Sequence, residues 1–125
     1  MASPTKTPTS DAHERLGFIV SDRDEVGHRA SVHIRGELCA ITVVDHGRHL
    51  ADLVDQGFVE LRVELGDLTL CTSDGLDLWD DLQHRLTPLA GRLTLAGATG
   101  VVRRVLDVAT RPELHFCPTV ELAAA

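Results

Sequence analysis

The chain has few aromatic residues and few basic ones. Of its 125 residues one is Trp, three are Phe and none is Tyr, so it lacks the aromatic surfaces on which proteins stack single-stranded nucleic acids. Twelve Lys and Arg against nineteen Asp and Glu give a formal net charge of -7. Such a charge repels phosphate backbones and anionic lipids. We therefore expect neither nucleic acid nor a membrane surface as a partner.

Cysteines and long apolar segments are also scarce. The three cysteines, Cys39, Cys71 and Cys117, are an odd number without a C-x-x-C pair, which suits a reducing compartment. No apolar run approaches the roughly 18 residues of a spanning helix, and Met1 to Ala12 has no apolar centre of the kind that signal peptides contain. We expect a cytoplasmic protein with a disordered tail over residues 1–12, rich in Ser, Thr and Pro, and a single domain over residues 13–125.

The patterns of enzymes and metal sites are incomplete. The order of a strand, Ser73, Gly75 and a helix is similar to a nucleophile elbow. That motif, however, needs a glycine two positions before the serine, where Cys71 stands. His46 and His49 are spaced i, i+3, with Cys39 a few residues before them, but the further ligands of a structural metal site are missing. We interpret the two histidines as solvated and predict no enzymatic activity, no metal and no cofactor.

Alternating polar and apolar residues indicate strands with one wet face. Val59, Leu61 and Val63, for example, alternate with charged residues, whereas a sheet covered on both faces should show continuous apolar runs. The pattern predicts an α/β fold, a small mixed sheet of about five strands with helices packed on one face. Strands are expected over residues 16–21, 29–35, 58–65, 92–96 and 114–116, the first two paired as a hairpin, and helices over 41–56, from 73 or 74 to 87, over 99–109 and in a short C-terminal segment.

The junction around Ser73 is the most informative segment. A strand pattern ends there and a helix pattern begins, so a phosphate on the serine would face the positive end of a helix. Two segments, 35–39 and 65–74, are expected to be loops that each lead from a strand into a helix. If their strands are neighbours, both lie at the same end of the sheet.

Several motifs along the chain resemble those of STAS domains of the anti-sigma factor antagonist type, the small bacterial proteins of partner-switching regulation. The likeness runs from about Arg29 to Glu121 and rests on the order and spacing of Gly36-Glu37-Leu38, Leu65-Gly66-Asp67-Leu68-Thr69, Ser73 with Gly75-Leu76, Leu93-Thr94-Leu95 and Val102-Arg103-Arg104-Val105-Leu106.

The resemblance implies a phosphorylation-controlled partner switch. Ser73 matches the serine that a cognate anti-sigma factor kinase phosphorylates; the unphosphorylated antagonist binds that kinase and frees a sigma factor, and a serine phosphatase resets it. No enzymatic activity of the chain itself is implied. The partner-binding residues expected on this basis are Glu37, Leu38, Cys39, Thr72, Ser73, Asp74, Gly75 and Leu76.

Three residues depart from the family pattern. Thr72 stands where the pattern has Asp, Asp74 where it has a second Ser, and Cys39 where an acidic residue usually follows Gly-Glu-Leu. An alternative is therefore a degenerate, non-phosphorylated STAS module that serves as an adaptor or scaffold for other proteins. A third hypothesis, an enzyme with Ser73 as nucleophile, stays open at this stage.

Overall fold

The computed structural model describes residues 16–109 and 115–117. The predicted N-terminal tail and the predicted C-terminal helix lie outside these residues. In chain order the elements are β1 (Gly17–Asp24), β2 (Arg29–Leu38), α1 (Val43–Asp55), β3 (Glu60–Cys71), α2 (Ser73–Leu86), a short 3-10 helix (Thr87–Leu89), β4 (Arg92–Ala96), α3 (Gly100–Ala109) and β5 (His115–Cys117).

The five strands form one sheet in the order β1-β2-β3-β4-β5. β1 and β2 are antiparallel, with Gly17 opposite Arg35 and Asp24 opposite Arg29, which confirms the predicted hairpin. The other pairs are parallel. Since each crossover from one parallel strand to the next is right-handed and moves in the same direction across the sheet, the helices lie on one face. The predicted fold class is confirmed.

One face of the sheet is buried under the helices. Its side chains, including Val32, Leu61 and Leu93, join the buried residues of all three helices in one hydrophobic core, and their burial is the main stabilising contribution to the fold. The other face carries the predicted polar side chains, and each of these is exposed or half-buried: Ser31, His33, Arg35, Glu60, Arg62, Glu64, Arg92 and Thr94.

Two segments predicted as loops belong largely to strands. β2 continues to Leu38 and β3 to Cys71, so the predictions of loops over 35–39 and 65–74 were wrong for most of their length. The register between the strands shifts on both sides of Arg35 and Gly36, after which pairing resumes up to Leu38 and Cys71. Gly36 has a φ of 106°, a conformation that glycine adopts without the steric cost of a side chain. The irregularity at Gly36 thus lets β2 and β3 stay paired beyond the point at which the alternating sequence pattern stops.

The buried side of α1 differs from the predicted stripe. Leu50 is buried as expected, but the other fully buried side chains of the helix are His46 and Leu53, whereas Val43, Gly47 and Val54 are only half-buried. The predicted solvated side, Asp45, Arg48, Asp52 and Asp55, is exposed. The interpretation of His46 as a solvated histidine was therefore wrong.

Candidate functional site

The ends of β2 and β3 bring the two predicted segments together. Leu38 is paired with Cys71, and the N–H of Thr72 donates to the carbonyl oxygen of Leu38 at 3.0 Å. Because parallel strands end at the same edge of a sheet, Cys39 and Thr72 leave their strands side by side. The expectation that both segments lie at one end is confirmed.

The first turn of α2 lies directly against the end of β2. A Cβ atom on Gly75 would be only 2.5 Å from Leu38 Cδ2 and 3.1 Å from Cys71 Sγ. Since Leu38 is fully buried, its side chain has little room to move. A glycine at position 75 thus sets the depth at which the helix start, and Ser73 with it, rests on the sheet.

Ser73 is the first residue of α2 and is exposed. The preceding Thr72 occupies the N-cap position but makes no side-chain capping bond; its hydroxyl donates to Asp74 Oδ2 at 3.3 Å. Within residues 16–109 and 115–117, no hydrogen-bond partner holds the Ser73 hydroxyl. The serine thus presents an accessible oxygen at a helix N-terminus.

The neighbouring turn is organised by Thr42. Its hydroxyl donates to the carbonyl oxygen of Glu37 at 2.7 Å and accepts from the N–H of Cys39 at 3.0 Å. The backbone N–H groups of Thr42 and Ile41 hold the pKa of the half-buried Cys39 thiol below its ordinary value. Thr42 was not among the residues predicted from the sequence, although a hydroxyl residue just before a helix is a known local signal.

Eight residues were predicted to bind a partner, and the structure divides them into two groups. Ser73 and Asp74 are exposed, and Glu37, Cys39 and Thr72 are half-buried. Leu38, Gly75 and Leu76 are buried, at 0% exposure for Leu38 and 4% for Leu76. The prediction that the Leu38 and Leu76 side chains lie at the surface was therefore wrong, because both are part of the hydrophobic core.

A buried polar contact joins α1 to α2 under this surface. Trp79 Nε1–H donates to His46 Nε2 at 3.0 Å, so in the neutral ring the proton belongs on Nδ1, which is buried without a hydrogen-bond partner among the described residues. Burial lowers the pKa of His46 to about 3, with a smaller contribution from His49. The signal for this pair was the single tryptophan, whose N–H needs an acceptor when buried.

The described residues offer no assembled metal site. No group of three or more His, Cys, Asp or Glu side chains within residues 16–109 and 115–117 is arranged to hold an ion. Burial raises the pKa of the Cys71 thiol to about 12, which keeps it a neutral apolar group at neutral pH. In the same residues, no helix has the length and apolar character needed to cross a membrane.

Two clefts lie away from Ser73. One, of about 250 Å³, is lined by Glu25, His28, Gln56, Gly57 and Phe58. The other, of about 240 Å³, lies where the sheet carries Arg29, Ser31, Glu60, Arg62 and Thr94. Both are smaller than typical ligand pockets of about 300–1,000 Å³.

Comparison with known proteins gives the fold but no match in sequence. No protein-family model and no curated protein matches the chain. Among solved structures, an anti-sigma factor antagonist from Mycobacterium paratuberculosis aligns with a TM-score of 0.69 at 19% identity, over 84% of this chain and 87% of that one. The anti-sigma factor antagonist SpoIIAA in its unphosphorylated form aligns with a TM-score of 0.62 at 17% identity, over 87% and 90% of the two chains.

A third structure is the Bacillus cell fate determinant SpoIIAA in its phosphorylated form, with a TM-score of 0.62 at 18% identity, over 87% of this chain and 92% of that one. TM-scores of 0.62 to 0.69 over most of each chain show that the fold is shared. The chain therefore has the STAS fold of anti-sigma factor antagonists, as its motifs implied.

Proposed function

We propose that this protein is an anti-sigma factor antagonist that binds an anti-sigma factor kinase through the surface around Ser73 and is released when that serine is phosphorylated. The observation that carries the proposal is the exposed Ser73 hydroxyl at the first residue of α2. It lies beside the end of β2 in the fold of a protein, SpoIIAA, that is known in phosphorylated and unphosphorylated forms.

Hydrogen bonding favours Ser73 over Thr72 as the phosphorylated residue. The Thr72 N–H donates to Leu38, and its carbonyl oxygen accepts from the N–H groups of Gly75 and Leu76. Its hydroxyl is bonded to Asp74. A kinase would have to disturb this helix start to reach Thr72, whereas Ser73 is exposed.

The local charges explain how a phosphate would act. Neither residues 37–47 nor residues 71–78 contain Lys or Arg, so these two segments offer no cationic partner to a phosphate. The α2 N-terminus stabilises a nearby anion by about 0.3–1 kcal/mol, and repulsion from Asp74 is on the order of 1 kcal/mol. The free protein therefore tolerates the modification. Burying the dianion in an interface without a cation costs several kcal/mol, so the partner is released.

The test is phosphorylation followed by binding. The protein is incubated with ATP and each anti-sigma factor serine kinase of its own genome, the modified residue is located by mass spectrometry, and both forms are titrated calorimetrically against the kinase. We expect modification of Ser73 and a loss of affinity of about 100-fold or more. Ser73→Ala should bind constitutively, and Ser21→Ala, which removes an exposed hydroxyl of β1, should behave like the natural protein. Equal affinity of the two forms would remove the switch.

A second candidate function is a constitutive adaptor. The Thr72–Asp74 hydrogen bond favours it, because it holds a carboxylate beside the acceptor serine. The double variant Thr72→Asp with Asp74→Ser restores the family pattern, and Ser and Asp are about equally good near a helix start. A decayed switch predicts rapid phosphorylation of this variant and almost none of the natural protein. Equal rates would instead identify Thr72 and Asp74 as residues of partner choice in a working switch.

A further inference from the structure

Two exposed aliphatic side chains, which we call the apolar ridge, stand at the start of α1. Ile41 is 62% exposed and Val44 is 61% exposed. They are three residues apart in a segment of helical turn, since the intervening Thr42 has helical dihedral angles (φ −92°, ψ −15°), and this spacing places them on one side of the chain. The exposed side of the rest of α1 is polar.

The apolar ridge lies next to Ser73. α1 and α2 each follow one of two neighbouring parallel strands and therefore run in the same direction. They approach closely at Gly47, where a Cβ atom would be 3.0 Å from Leu78 Cδ1. Val44 is three residues before Gly47 and Asp74 is four before Leu78, so helical spacing places both about one turn further towards the N-terminal ends of the two helices. The ridge and the Ser73 hydroxyl are thus parts of one continuous surface.

We propose that the apolar ridge supplies most of the affinity for the partner, while Ser73 controls whether the contact can form. The inference rests on the proposed function and deepens it. In protein interfaces a few well-buried side chains dominate the binding energy. In its unphosphorylated form Ser73 offers only a small neutral hydroxyl, so two aliphatic side chains beside it are the larger source of buried apolar area.

The charge around the ridge defines the partner. Glu37, Asp74 and Asp77 are acidic residues of the neighbouring sequence, and Asp45 Oδ1 is paired with Arg48 Nη1 at 3.0 Å. Residues 37–47 contain no Lys or Arg, so the charge of this region is negative. A second copy would place like charges opposite one another, which opposes self-association through this surface. The fitting occupant is a different protein with an apolar pocket, whose basic groups lie at the rim away from Ser73 and leave no cation opposite the serine. Rim charges remain solvated and contribute little, whereas a phosphate on Ser73 would have to be desolvated beside the apolar contact.

The experiment compares serine substitutions at three exposed aliphatic residues, two in the ridge and one outside it. The full chain and its Ile41→Ser, Val44→Ser and Val26→Ser variants are titrated against the anti-sigma factor serine kinases of the same genome. Val26 is 93% exposed in the β1–β2 turn at the opposite end of β2. Each ridge variant should bind about tenfold more weakly, and Val26→Ser should bind like the natural protein. The folds should be intact, because Ser and Val have similar helix propensities.

Each other outcome has a distinct meaning. Kinase binding that responds to Ser73 phosphorylation but not to the ridge variants overturns the ridge and keeps the proposed function. Binding that needs the ridge but ignores phosphorylation keeps the ridge and removes the switch. No binding by any kinase overturns both. A fall of several degrees in the Tm of the free ridge variants means that terminal segments of the chain cover the ridge. If the natural chain forms a dimer that the ridge variants dissociate, a second copy covers it. Either result overturns the proposal that a partner binds the ridge.

Discussion

The two faces of the sheet differ in burial and therefore in their tolerance of substitutions. Between the sheet and the helices, side chains such as Leu38, Trp79 and Leu93 are fully buried, so an additional atom there would overlap its neighbours. On the bare face, polar side chains pair across strands while staying partly in water, as His33 Nε2 and Asp67 Oδ2 do at 2.7 Å. Substitutions should therefore be costly on the first face and cheap on the second, and the candidate site lies at the edge where the two faces meet.

The largest effect is expected from a matched pair of glycines. Gly75 packs on Leu38 on the covered face, whereas a Cβ atom on Gly66, on the bare face, would meet only the Gly97 carbonyl oxygen at 3.7 Å. Gly75→Val should lower the free energy of unfolding by about 3 kcal/mol through overpacking. Gly66→Val should change it by less than about 1 kcal/mol. Urea denaturation measures both, and equal losses would contradict the contrast between the faces.

The cysteines should differ almost as strongly in reactivity. Cys71 is buried with its pKa raised to about 12, whereas backbone N–H groups lower the pKa of the half-buried Cys39. Because the thiolate is the reactive form, we expect iodoacetamide to modify Cys39 at least about 100-fold faster than Cys71 at pH 7.5. Mass spectrometry of a Cys117→Ser variant measures the two rates. Similar rates would mean that α2 opens readily from the sheet.

A smaller effect is expected from His46, which titrates inside the covered face. Its pKa is about 3 in the folded protein and 6.5 in an unperturbed histidine, so the unfolded chain binds the proton more readily. The stability that the neutral ring provides is complete above pH 6.5 and is lost as the pH falls towards 3. Between pH 7.5 and 5 we expect a loss of about 2 kcal/mol.

The variant His46→Gln separates this titration from that of other groups. The glutamine oxygen can accept from Trp79 Nε1–H but takes up no proton in this range. Between pH 7.5 and 5 the free energy of unfolding of this variant should therefore fall by about 2 kcal/mol less than that of the natural protein. Identical pH profiles of the two proteins, measured by thermal denaturation, would show that water reaches His46.

The smallest effect is expected on the bare face. Asp67→Asn removes the charge opposite His33, and the two side chains are 58% and 40% exposed. Because even a fully ionic pair at this exposure contributes only about 0–1 kcal/mol, the free energy of unfolding should change by less than about 1 kcal/mol. A larger loss in urea denaturation would mean that something covers this face in solution.

Features that depend on neighbouring residues could be predicted from the sequence, whereas features that depend on contacts between distant segments could not. Alternation is a local property, so β4, the wet face and the β1–β2 hairpin were all predicted from it. The ends of β2 and β3 were not, because their pairing depends on a register shift at Gly36 that involves two strands distant in sequence. The motif located Ser73, but it could not show that Leu38 and Leu76 are buried, since their partners belong to other elements. His46 was misjudged for the same reason, because Trp79 lies 33 residues further along the chain.

The strand order allows the protein to fold while it is being synthesised. Every strand pairs with the strand that precedes it in the chain, so a nascent chain leaving the ribosome can add each new strand to a sheet edge that already exists. Such sequential assembly avoids long-range pairing, which slows folding. β2, β3 and the start of α2 have all been synthesised once residue 76 has emerged. The surface around Ser73 can therefore form before β4, α3 and β5 have left the ribosome.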